Sequence, residues 1–268
     1  MSHVTRLPQA KKALGQNFLT DQHIIQRIID LAHLSENTPT LEIGPGPGAL
    51  TSPLLKMVNH LYAIEYDAHI IEYLKNHLPA PFVDKISIIN QDILKTDLNT
   101  VFNAQSSPWT VIGNLPYHIS TPILFHLLTY RSAIQRIVVM LQKEVVQRIV
   151  SDPNTKIYGR LSVMLQYYFD CQAAFSVPAG AFIPAPKVTS QLLVMTPKQP
   201  TIPAMDETHF AQLVALCFQK RRKTLRHILR SAKAPIEQLA NHFDLTQRPE
   251  NLSVTTFVQL SNMIQEAR

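Results

Sequence analysis

Cysteine is scarce: Cys171 and Cys217 are the only two in 268 residues, and no CxxC occurs. That excludes a disulfide framework and a cysteine-based zinc site, and both thiols are expected as small buried hydrophobes. The eleven histidines show no metal-ligand spacing, so no metal is expected. No apolar run approaches the ~18 residues of a membrane-spanning helix. Residues 1–12 carry Arg6, Lys11 and Lys12 but no apolar signal-peptide core. The expectation is a cytoplasmic monomer with no membrane association. Charged residues are only 16% against 46% hydrophobic, enough apolar material for a large core and too much for a disordered chain. Acid is wholly missing from one segment of the last quarter. Residues 1–200 hold 16 basic and 13 acidic side chains, residues 201–268 hold 9 and 6, and Lys220–Lys233 holds seven basic residues and no acid. A mildly basic body with one concentrated cationic segment suits a polyanionic partner.

Short β-branched runs alternate with helical stretches over the first two-thirds, an α/β pattern. Strands are expected at Thr40–Gly44, Leu61–Glu65, Ile86–Asn90, Trp109–Gly113, Arg136–Leu141, Gln172–Val177 and Gln191–Thr196. The first four are separated by enough chain for crossover helices and parallel pairing. The last two have only a proline-rich loop between them, which turns the chain back antiparallel. Three prolines in Pro197–Pro203 mark a linker, and the sequence beyond reads as helices only. The organisation expected is a 1–200 domain and a helical 201–268 domain.

Leu41-Glu-Ile-Gly-Pro-Gly-Pro-Gly48 follows a strand and precedes a helix start at Ala49–Thr51. Gly44 and Gly46 let backbone approach a ligand, although such turns also serve packing alone. Glu65 ends the second strand 21 residues after Gly44, where an acid can accept both hydroxyls of an adenosine ribose. Asp92 follows the third strand in the same way; either acid could instead merely cap a helix. The GxGxG spacing differs from the GxGxxG of NAD sites, and no GxxxxGK[ST] phosphate loop is present. A ligand with a ribose and no phosphate, such as S-adenosylmethionine, fits best. The fourth strand runs into Asn114-Leu115-Pro116-Tyr117. Proline keeps this turn from continuing as a helix. An Asn oxygen and a neighbouring carbonyl can then hold the two hydrogens of an exocyclic amine while Tyr117 stacks on the base. The plainer reading is a strand-to-helix turn with Asn114 as N-cap.

Together these blocks resemble the ribosomal RNA adenine N6-dimethyltransferases. The others that match are Lys12-Ala-Leu-Gly-Gln-Asn-Phe-Leu19, Gln142–Arg148, Tyr158–Val163, Phe182-Ile-Pro-Ala-Pro-Lys-Val-Thr-Ser190 and Arg221–Leu225. The resemblance implies a Rossmann-like class I methyltransferase domain, with a mostly parallel seven-stranded sheet whose last strand is antiparallel, and a small all-α domain. It implies S-adenosylmethionine-dependent dimethylation of two adjacent adenosines in a hairpin loop near the 3′ end of small-subunit ribosomal RNA, acting on the small ribosomal subunit particle. Gln16, Asn17 and Leu19 would clasp the methyl donor and Gly44 would lie beneath its methionine part. Glu65 would take its ribose and Asp92 its adenine amine. Asn114 would serve both donor and target amine, with Leu115 and Pro116 supplying a carbonyl, and Phe182 would sandwich the target base opposite Tyr117. Three readings compete: a large-subunit adenine methyltransferase of the antibiotic-resistance type, a non-catalytic RNA-binding assembly factor on the same fold, and an NAD dehydrogenase. Intact Glu65 and Asn114–Tyr117 weigh against the second, and no hydride chemistry supports the third.

The cationic segment is expected as one helix, with Arg222, Arg226 and Arg230 on a stripe and Leu225, Ile228 and Leu229 opposite. Lys220, Arg221 and Lys223 complete the candidate RNA-binding set. A solvated helix face is the alternative, but such faces usually mix charge signs.

Overall fold

The computed structural model describes residues 7–104 and 108–267. The chain divides into two compact units, Met1–Val146 with Gln172–Pro197, and Gln147–Cys171 with Lys198–Arg268. The cut at Pro197 lies close to the expected boundary at residue 200. Residues 147–171 depart from the expectation, since they belong with the C-terminal unit.

The first unit is built on a seven-stranded sheet. After a short β1 (Phe18–Leu19) come β2 (Thr40–Ile43), β3 (Leu61–Glu65), β4 (Ile86–Asn90), β5 (Trp109–Asn114), β6 (Ile134–Gln142) and β7 (Phe169–Val177). A two-residue β8 (Phe182–Ile183) precedes β9 (Ser190–Pro197). Strand order is β4-β3-β2-β5-β6-β9-β7. β2 to β6 pair in parallel, and β9 runs antiparallel to β6. All seven expected strands are present. The separate β1–β8 pair, too short to leave a periodicity, was not expected.

Helices of this unit are α1 (Gln22–Ala32), α2 (Thr51–Met57), α3 (Ala68–His77), α4 (Asn99–Phe102), α5 (Ser120–Thr129) and most of α6 (Lys143–Ile149). Asp21 starts α1 by accepting the His23 and Ile24 N–H groups, and Ile24, Ile25, Ile28, Ile29 and Ala32 form its buried stripe. The central strands are covered on both faces, so β2 is buried throughout and β5 up to Asn114. Their close approach depends on Gly113: a Cβ there would stand 2.5 Å from the Ile43 carbonyl oxygen. The chain winds outward from β2 through β3 to β4, then returns to place β5 on the other side of β2. Strand order therefore reverses between β2 and β5, where a crevice opens at the carboxyl ends.

The second unit is helical: α7 (Arg160–Tyr168), α8 (Glu207–Gln219), α9 (Leu225–Ser231), α10 (Ile236–Ala240) and α11 (Val254–Glu266). α7 explains the shifted boundary. Seven of its nine residues are buried, Tyr167 packs on Phe210 of α8 at 4.6 Å between centroids, and its hydroxyl accepts the Ala204 N–H. Periodicity shows that a helix is apolar on nearly all sides, and does not say which core it enters.

The cationic segment is not the single helix expected. α8 stops at Gln219, residues 220–223 form a turn, and α9 begins after Thr224. Arg222 thus lies off the stripe, which reduces to Arg226 and Arg230, both exposed. Leu225, Ile228 and Leu229 are buried as expected. The interruption has a local reason: the Leu225 and Arg226 N–H groups donate to the Gln247 and Leu245 carbonyls, which anchors a fresh helix start.

Candidate active site

A cavity of about 270 Å³ occupies the crevice at the carboxyl ends of β2–β5. Its walls are the glycine turn after β2, Glu65 and Tyr66 at the end of β3, Asp92 after β4, the turn after β5, and residues 14–19 crossing from the N-terminal side. Gln16, Asn17, Leu19, Gly44, Gly46, Glu65, Asp92, Asn114, Leu115, Pro116 and Tyr117 all line it. Among the described residues no Lys or Arg does.

The turn after β2 depends on Gly44, whose φ of +68° is a left-handed conformation that suits glycine. Its N–H donates to the Ile64 carbonyl, and a Cβ at this position would meet nothing closer than the Asn114 carbonyl at 3.8 Å. Gly44 therefore serves the backbone path and leaves open space beside it. Glu65 Oε1 accepts the Asp67 N–H at 2.9 Å. Burial raises its pKa, opposed by the N–H groups of Asp67, Gly46 and Tyr66. Glu42, two residues before Gly44, is fully buried and accepts the Thr51 hydroxyl at 2.8 Å. Burial first, with Glu65 nearby, pushes its pKa to about 8, against the opposing Thr51 bond. At neutral pH the crevice thus carries Glu42 mostly as a neutral acid. Asp92 both lines the cavity and caps the following turn, accepting the Leu94 N–H at 3.0 Å.

The turn after β5 is not capped by Asn114, which remains in the strand. Its Nδ2 donates 2.9 Å to the Asn17 carbonyl, which leaves Oδ1 as the acceptor end of the amide. Leu115 N–H donates to Met140, and the Pro116 carbonyl accepts the Ile119 N–H. Tyr117 is half-buried and its hydroxyl is hydrogen-bonded to Ser190 Oγ. Burial raises the Tyr117 pKa, partly offset by that bond.

Phe182 does not join the site. It pairs with Leu19 in the β1–β8 ladder, is 3% exposed, and packs into the core with Leu19, Ile25, Val177 and Ala181. Its side chain belongs to the core, and it is not among the residues that line the cavity. Its motif reaches the site through Ser190 instead. Sequence reasoning gave no role to Glu42 or Asp67. Glu42 is an acid between Leu41 and Ile43 in an expected strand, a detectable signal. Asp67 binds residues 51 and 56 positions away, which no local pattern reports.

The candidate RNA-binding residues lie in the second unit. Arg222, Lys223, Arg226 and Arg230 are exposed. Arg221 is engaged with the Glu250 carboxylate and the Lys156 carbonyl, and Lys220 Nζ bonds to Ser231 Oγ at 2.7 Å. Glu250 is thus an acid partner the segment itself lacks.

Among proteins of known name, this chain is 44% identical over 257 residues to a Ribosomal RNA small subunit methyltransferase A of Acinetobacter baylyi, covering 96% of this chain and 93% of that protein. A protein of the same name from Streptococcus thermophilus is 42% identical over 270 residues, covering 96% and 92%. In fold the chain is similar to a dimethyladenosine transferase from Plasmodium falciparum, with TM-score 0.77, 23% identity, and 93% and 97% coverage. It is also similar to the 23S rRNA methyltransferase ErmE, with TM-score 0.71, 24% identity, and 93% and 100% coverage. The sequence profile described as Ribosomal RNA adenine dimethylase matches residues 8–266, and the chain belongs to that family.

Proposed function

We propose that this chain is an S-adenosylmethionine-dependent enzyme that dimethylates N6 of two adjacent adenosines in small-subunit ribosomal RNA. The observation that carries the reading is the Asn114 amide, held by the Asn17 carbonyl with its oxygen left to accept, at the edge of a crevice suited to an adenosine donor. The identity to small-subunit methyltransferases supports the same substrate.

The crevice residues fit S-adenosylmethionine. Glu65 offers a carboxylate to ribose hydroxyls, the Gly44 turn leaves room for the methionine part, and Tyr66 and Asp92 flank the adenine end. The absence of Lys and Arg among the described lining residues suits a ligand without phosphates. Bound there, the donor supplies an activated methyl group on a sulfonium. The chain's part is alignment. Asn114 Oδ1 and the Leu115 carbonyl, the one not engaged by Ile119, accept the two N6 hydrogens and aim the lone pair. Tyr117, fixed through Ser190, gives the base a stacking face. Water takes the proton released from N6, so no strong base is required. A hairpin loop lowers the cost of bringing the base out of its stack.

Arg222, Lys223, Arg226 and Arg230 contact RNA phosphates on this reading, positioning the substrate without reading its bases. Arg221 and Lys220 serve to hold the turn that presents them. The enzyme works in the cytoplasm, where ribosomal subunits are assembled.

The test is purified protein with S-adenosylmethionine and unmethylated small and large subunits, with product nucleosides mapped by mass spectrometry. Paired N6,N6-dimethyladenosines in small-subunit RNA alone are expected. Methylation confined to large-subunit RNA, or none in either, overturns the assignment.

A further inference from the structure

The segment from Lys11 to Asn17 is fastened on two sides of the cavity, and one fastening is made by Asp67. The Asp67 side chain is 3% exposed, against 45% for Lys11. Its Oδ1 receives Lys11 Nζ at 2.8 Å and its Oδ2 receives Gln16 Nε2 at 3.1 Å. Gln16 Oε1 in turn accepts the Lys11 N–H at 2.7 Å, which closes the segment on itself. The Asp67 N–H also donates to Glu65 Oε1. On the other side, Asn17 Nδ2 donates to the Gly15 carbonyl, and the Asn17 carbonyl receives Asn114 Nδ2. An amide has one donor end and one acceptor end, so the Asn17 carbonyl decides which end of Asn114 is left for the cavity.

We propose that Asp67 is a positioning residue, latching the Lys11–Asn17 segment so that the Asn17 carbonyl orients Asn114 toward the target amine. The inference rests on the role given to Asn114 above. Capping of α3 alone does not explain the arrangement, because the His69 N–H already meets that need. Lys11 and Gln16 come instead from the N-terminal segment, 56 and 51 positions away in the sequence. An ion pair between two exposed side chains holds little. Here the carboxylate is out of water, and loss of Lys11 leaves a buried charge with fewer donors. Burial works to raise the Asp67 pKa, but the bonds from Lys11 and Gln16 outweigh it and hold the group below its ordinary value. The latch is therefore charged at neutral pH.

Lys11→Met and Asp67→Asn, made in the full chain, test the proposal. Asparagine keeps the helix cap. Lys11→Met removes only a partly exposed partner and carries the test by itself if Asp67→Asn does not fold. Hydrogen exchange in residues 12–17 is expected to quicken about tenfold in both variants. Single-turnover methyl transfer at saturating S-adenosylmethionine should fall about fivefold, while the donor Kd moves by less than about threefold. Lys11→Arg, which keeps the ion pair, should behave as the parent. Unchanged exchange overturns the latch. Faster exchange with an unchanged rate at saturating donor, or a loss confined to donor affinity, overturns the positioning role. Parent-like turnover by Asn114→Ala would instead overturn the reading of the site, a result independent of the latch measurements.

Discussion

Glu42 and Glu65 stand on neighbouring strands of one crevice, and burial acts on both. Glu65 keeps three backbone N–H partners that oppose the effect, while Glu42 has the Thr51 hydroxyl. On the proposed function Glu65 is the acid that meets the ribose. Glu65→Ala should weaken S-adenosylmethionine binding by about 2–3 kcal/mol, the worth of a charge-assisted pair of hydrogen bonds. Calorimetric titration reads this directly, and parent-like affinity in the folded variant would remove Glu65 from the ribose. Glu42 makes a different prediction, about stability. Its folded pKa of about 8 lies above the ordinary 4.5, so the folded chain holds a proton that the unfolded chain releases. Stability from this group falls as pH rises between those two values and is level outside them. Glu42→Gln removes that slope. The Tm of the variant relative to the parent should therefore rise from about pH 5 to pH 8. Parallel Tm curves over that range would show that Glu42 ionises normally in the fold.

Among the elements, those of the sheet were the most legible. Short β-branched runs mark them, and β2, β3, β4 and β5 fall where the runs predict, although only β2 and β5 are buried nearly throughout and β4 at the sheet edge is half-exposed. The crevice followed from them, because the glycine turn, Glu65, Asp92 and Asn114 are all strand-end residues. Phe182 shows where that reasoning stops. A two-residue ladder has no period, and the burial of Phe182 is decided by its pairing with Leu19 across the chain. The cationic segment shows another limit: its acid-free composition was plain, but the helix break at 220–223 is anchored by Leu245 and Gln247. Arg226 and Arg230 remain one turn apart on α9 and exposed. Arg226→Glu with Arg230→Glu should leave S-adenosylmethionine affinity intact and weaken binding to small-subunit particles. The salt dependence of log K should become shallower by about 0.7–0.9 per lost phosphate contact. Unchanged particle affinity and salt slope would make α9 a solvated face.

For the whole molecule, the proline-rich stretch at 197–203 lies beside the cut at Pro197 between the α/β unit and the helical unit. The capture of residues 147–171 by the second core was not legible in the sequence, because α7 is apolar on nearly every side and its partners on α8 lie beyond the linker. The described residues contain no helix long and apolar enough to cross a membrane. On the proposed function, chemistry concentrates at one place, the turn after β5, where the strand order reverses and the N-terminal segment reaches Asn114. The most direct measurement of the central claim is made on Asn114→Ala, with S-adenosylmethionine binding by calorimetry and methyl transfer to small-subunit RNA by single turnover under excess enzyme. Loss of positioning and lone-pair direction together predicts a donor Kd within about threefold of the parent and a transfer rate lower by about a hundredfold or more. Dimethylation at the parent rate by the folded variant would contradict the account.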